Sequence, residues 1–156
     1  MKPAETQPTP EAQLRSFIAA LDPAQQKLVR SVRAALRKRF PTANELAYDY
    51  SGSLVIAYSA TANGIDGFLS FAARADGVSL YFSNGPKLPD PKKLLRGSAK
   101  QVRYIPLETA SRLKHPDVED LIAAAVAYAK APLPAKGKGV LFIRGATAKT
   151  PKRRKA

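Results

Sequence analysis

Apolar positions along this chain follow a helical period first, then a strand period, then a helical one again. Leu14, Phe17, Ile18 and Leu21 recur at i, i+3, i+4 and i+7, which predicts a short helix over residues 11–21. Asp22-Pro23-Ala24-Gln25 then supplies an N-cap, a first-position proline and a capping-box partner. A second helix follows to Phe40, where Pro41 stops it. Its apolar stripe is Leu28, Val29, Val32, Ala35 and Leu36; the other side carries Lys27, Arg30, Arg33, Arg37 and Lys38. No acidic residue lies between Asp22 and Glu45.

The period then shortens to two. Leu46, Tyr48 and Tyr50 alternate with Glu45, Ala47 and Asp49, and Leu54, Ile56 and Tyr58 share one face of the next segment. Ser51-Gly52, Asn63-Gly64 and Asp76-Gly77 are hairpin signals, placing further strands at residues 65–72 and 78–82. Such spacing predicts an antiparallel meander, completed by a strand over residues 101–107. Between them, Asp90 and Pro91 read as a cap and first helical position, and Gly97 as the stop of a short helix. Val118, Leu121, Ile122, Ala125 and Ala129 form the stripe of a last helix, with Asp117, Glu119 and Asp120 in its first turn suiting the helix dipole. Val140-Leu141-Phe142-Ile143 reads as a sixth short strand, or as a segment that pairs with a partner's sheet edge. The expectation is α+β: one domain over residues 11–145, an antiparallel sheet of about five strands covered by N- and C-terminal helices. Residues 1–10 and the basic tail 146–156 are expected to be disordered.

Leu88-Pro89-Asp90-Pro91, Leu94-Leu95, Gly97, Lys100 and Arg103, followed by the amphipathic helix near residues 117–130, resemble the YdhG-like domain family, a domain of unknown function. The resemblance spans residues 12–130. It implies a compact α+β domain with a frataxin-like fold, and, through a label some members carry, an iron chaperone.

Composition narrows the chemistry. There are 26 lysines and arginines against 12 acids, a net charge of +14. Eight of those cations and no acid fall in the last twenty-one residues, leaving +6 for the rest. That imbalance points to an anionic partner, nucleic acid or another polyanion. With no cysteine, disulfides, thiolate metal sites and a cysteine nucleophile are excluded. No apolar run reaches the ~18 residues of a membrane span, and no secretory leader is evident, so a cytoplasmic protein is expected. His115 stands alone before Pro116, as a cap or surface residue; no nucleophile elbow or phosphate loop is present.

Three functional readings follow. The leading one is a non-enzymatic binding module that meets an anionic partner through Lys27, Arg30, Arg33 and Arg37 and through the tail Lys152, Arg153, Arg154 and Lys155. A second is the iron carrier of the family label, for which Asp117, Glu119 and Asp120 are the densest acidic group; no other cofactor is expected. A third is a small-anion binder or enzyme using the backbone at Gly97 and Ser98 with Lys100 and Arg103, although a three-residue spacing puts those two cations on opposite faces of a regular strand. Tyr48, Tyr50, Tyr58, Tyr81 and Tyr104 are expected as core or cross-strand residues; a base-stacking platform needs exposed rings on one face. Monomer and dimer both stay open.

Overall fold

A computed structural model describes residues 9–50, 53–98 and 101–146. The first helix, α1 (Pro10–Ala19), starts at Thr9, whose hydroxyl accepts from the Ala12 amide at 3.1 Å. The second, α2 (Pro23–Arg39), starts at Asp22, which accepts from the Gln25 amide at 2.9 Å. Gln25 does not close a capping box; its side chain donates instead to the Arg74 carbonyl. Six strands follow: β1 (Asn44–Tyr50), β2 (Ser53–Ser59), β3 (Gly67–Arg74), β4 (Gly77–Phe82), β5 (Arg103–Leu107) and, after α3 (Pro116–Ala127), β6 (Leu141–Ala146).

The fold is α+β, with a mixed sheet in the order β5-β4-β3-β2-β1-β6. The first five strands form the expected antiparallel meander. Residues 141–146 correct the five-strand antiparallel expectation: they add a sixth strand parallel to β1 within the same chain. The chain reaches that edge through a close approach at Gly139, whose amide donates to the Pro41 carbonyl at 2.9 Å. A Cβ there would lie 1.7 Å from the Ala43 carbonyl oxygen, so only glycine fits.

All three helices cover one face of the sheet. Leu14 and Ile18 of α1, Val29, Val32 and Leu36 of α2, and Val118, Leu121, Ile122 and Ala125 of α3 pack with Ile56, Tyr58, Phe71, Leu80 and Ile105 into one core. Full burial of such side chains contributes about 1.5–3 kcal/mol each. Phe68 faces no partner residue on β2 because Gly67 pairs with Ser59 and Leu69 with Tyr58; this bulge brings Phe68 and Leu69 together into the core.

Two local expectations fail for identifiable reasons. Residues 90–96 form no helix. Asp90 accepts from the amides of Leu94 and Leu95, at 2.8 and 2.9 Å, and Lys93 takes a φ of 57°, which stops helical propagation. Gly97 does hold a positive φ of 103°, but beside a backbone bridge between Arg96 and Tyr104 rather than after a helix. Asn63-Gly64 likewise makes no two-residue hairpin: Asn63 caps a 3₁₀ turn, Gly64–Asp66, by accepting from the Ile65 amide at 3.0 Å.

Candidate anion-binding surfaces

Along α2 the cations divide. Lys27 and Arg30 are exposed, and Arg30 donates to the Gln26 side chain at 3.3 Å. Arg33 turns toward the sheet, its side chain only 13% exposed. It donates to Glu45 through Nε and Nη2, at 2.9 and 2.8 Å, and to Glu11 through Nη1 and Nη2, at 3.1 and 2.8 Å. Glu45 is 4% exposed and also accepts from the Tyr58 hydroxyl at 2.8 Å. Arg37 lies 3.7 Å from both carboxylates. Burial pulls the Arg33 pKa down, yet its bonds to Glu45 and Glu11 outweigh that, and the net shift is upward. The hydrogen bond from Arg33 holds Glu11 below the usual carboxylate value. Burial, reinforced by Glu45, pushes the Tyr58 phenol well above 10. Arg33 is thus committed inside the protein and Arg37, though 53% exposed, lies beside the same two carboxylates. Among the described residues, the exposed stripe without a carboxylate partner is reduced to Lys27 and Arg30.

The opposite side of the sheet presents a different surface. Strand register places Glu45, Ala47 and Asp49 of β1 with Tyr58, Ile56 and Leu54 on the helix side, so Leu46, Tyr48 and Tyr50 face away from the helices. One row across that open face runs Phe142, Leu46, Ala57, Ser70, Tyr81, Tyr104 and Arg96. The next runs Tyr48, Val55, Ala72, Ser79 and Pro106, and a third holds Tyr50, Ser53 and Arg74. Four of the five tyrosines considered above therefore share this face; Tyr58 alone is in the core. Their rings are half-buried rather than enclosed. Tyr48 and Tyr50 stack with centroids 5.8 Å apart and planes 14° from parallel, while Tyr81 and Tyr104 pair across strands at 5.5 Å.

Cations are built into the same face. The Arg74 guanidinium lies over the Tyr81 ring at 5.3 Å and donates to its hydroxyl. Arg144 is the extra residue of a bulge, since Ile143 pairs with Ala47 and Gly145 with Tyr48. It sits 4.9 Å over the Phe142 ring and donates to the Ala62 carbonyl at 2.7 Å. Among the described residues no strand position on this face carries a carboxylate, both acids of β1 lying on the helix side. Asp66, with Tyr48, Asn63 and Arg144, lines a shallow depression of about 630 Å³ at the rim. Burial raises the Tyr48 pKa, Tyr50 adds to it, and Arg144 opposes it.

The remaining sites read from sequence are dispersed. Gly97 and Ser98 are exposed, Arg103 packs its stem against Gly85, and Lys100 lies outside the described residues. Glu119 is paired with Arg39 at 3.2 Å and Asp117 lies 3.8 Å from His115. Asp117, Glu119 and Asp120 are not brought together as a donor set, and among the described residues no group of three or more His, Asp or Glu side chains is placed to hold a metal. His115 caps α3, its Nδ1 accepting from the Asp117 amide at 3.2 Å. The tail Lys152–Lys155 lies outside the described residues. Among the described residues no helix is long and apolar enough to cross a membrane.

The open face thus carries two arginine–aromatic units, and its described strand positions hold no carboxylate. Compared with protein-family models, with curated proteins and with solved structures, the chain finds no match.

Proposed function

We propose that this protein is a binding module for a polyanion rather than an enzyme, and that the open face of the sheet is its principal contact surface. One observation carries the reading: both strand acids among the described residues lie on one side of the sheet. Glu45 and Asp49 face the helices, as does the register position of Arg103 opposite Phe82, whereas Arg74 and Arg96 hold register positions on the open face and the bulge residue Arg144 lies over Phe142 there, with no strand carboxylate among them. A net charge of +14 adds a long-range attraction for any anionic polymer. Lys27 and Arg30 of α2, and Lys152, Arg153, Arg154 and Lys155 of the tail, add further positive charge. Kinship with the YdhG-like family goes with this reading as part of the proposal, resting on residues 88–103 and the α3 stripe. Iron carriage does not, because the carboxylates that would take a hard cation are spread apart or paired with a cation.

The test is a titration of the full chain with a labelled polyanion at two salt concentrations. Three phosphates neutralised on a single strand give a slope of about −2 in log K against log salt, or about a twentyfold loss for a fourfold rise in salt. Binding that is indifferent to salt, or absent, removes the reading.

A further inference from the structure

The open face carries more than charge, and its rings distinguish one class of polyanion from the others. Tyr48 stands three strands from Tyr81, roughly 14 Å across the sheet and one register row along it, with Tyr50 a row further, and the half-buried Ala57 and Ser70 lie in the row of Tyr81. The two tyrosine pairs thus flank a stretch of smaller side chains on one face. Arg74 is fixed over Tyr81 and Arg144 over Phe142, so each cation is already oriented beside a ring. A duplex keeps its base faces stacked inside and offers these rings nothing. A single strand presents every base face, and stacking on aromatic side chains tolerates any sequence.

We propose that the open face docks single-stranded nucleic acid, with bases stacked on Tyr48/Tyr50 and on Tyr81/Tyr104 and phosphates held by Arg74 and Arg144. This rests on the polyanion reading above and narrows it to one partner class. An open sheet of this width has room to stack two or three bases. With six tyrosines and no tryptophan, the intrinsic fluorescence of the chain reports tyrosine alone, which makes ring stacking directly visible.

The experiment titrates the full chain with a mixed-sequence single-stranded oligonucleotide, the matching duplex and heparin, following anisotropy of labelled strands and tyrosine emission. The single strand is expected to bind at least tenfold tighter than the duplex and to quench tyrosine emission. Y48A and Y81A are each expected to lose about tenfold on the single strand. Y48F and Y81F keep the π-face and are expected to bind within about twofold of the parent, and circular dichroism identifies any variant that has lost its fold. Equal affinity for duplex and single strand, or undiminished binding by folded Y48A and Y81A, overturns the proposal while leaving the polyanion reading intact. Failure to bind any of the three polymers overturns both.

Discussion

Arg33 of α2 holds Glu45 of β1 by two hydrogen bonds, Nε to Oε2 at 2.9 Å and Nη2 to Oε1 at 2.8 Å, across the joint between helix and sheet. With Tyr58 and Glu11 they form a polar network at the edge of an otherwise apolar core. Removing one partner strands the other charge away from water. R33M is accordingly expected to lose about 3–5 kcal/mol of stability in urea unfolding. Replacing the whole network, as R33M/E45L/Y58F, is expected to recover most of that, because no buried charge or hydroxyl is left alone. A single R33M costing less than about 1 kcal/mol, as a surface ion pair does, contradicts this.

The same network has an acid limb. Glu11 is held below its usual value of 4.5 by its hydrogen bond to Arg33, so its charged form is favoured on folding. A depressed carboxylate pKa contributes stability that is present above the unfolded value and is lost as pH falls through the folded one. Thermal unfolding measured from neutral pH downward is expected to weaken below about pH 4.5 more steeply in the parent than in E11Q, the two curves converging in acid. Parallel curves contradict the assignment.

At the β1–β6 edge the prediction concerns volume. G139A places a methyl against the Ala43 carbonyl, and the chain must shift to admit it. A loss of about 1–3 kcal/mol is expected. Hydrogen exchange at the Glu45 amide, which donates to the Val140 carbonyl at 2.9 Å, should quicken with it. Unchanged exchange at Glu45 would mean that β6 is positioned independently of this approach.

Charge-removing pairs separate the two basic surfaces. R74Q/R144Q is expected to lower polyanion affinity about tenfold at low salt and to flatten the salt slope by about 1.4, two single-strand phosphates' worth. K27Q/R30Q, on the exposed part of α2, is expected to change affinity by less than about threefold. The reverse order would return the site to the helix.

What the sequence made legible is what short-range physics decides. Caps at Asp22 and His115, the stops near Pro41 and the meander of five strands all follow from neighbours a few residues apart. Asp90 misled because its carboxylate satisfies amides four and five residues on, a loop geometry that shares its residue types with a helix start. The side chosen by β1 was hidden for a different reason. Alternation separates Leu46, Tyr48 and Tyr50 from Glu45, Ala47 and Asp49 but does not say which set meets the helices, and an arginine on α2 reversed the hydropathic preference. The pairing of β6 inside the chain depends on a contact about a hundred residues away in sequence, between Asn44 and Val140. For the site, Arg74 and Arg144 gave no local signal; only register and a bulge place them beside aromatic rings.

The most direct measurement is the set of tyrosine ring resonances in the full chain, selectively labelled, as a single-stranded oligonucleotide is added. Signals from Tyr48, Tyr50, Tyr81 and Tyr104 are expected to shift together and saturably, while Tyr58, enclosed on the helix side, stays in place. Shifts confined to amides around Lys27 and Arg30, with all four open-face rings unmoved, would contradict the assignment of the sheet as the binding surface.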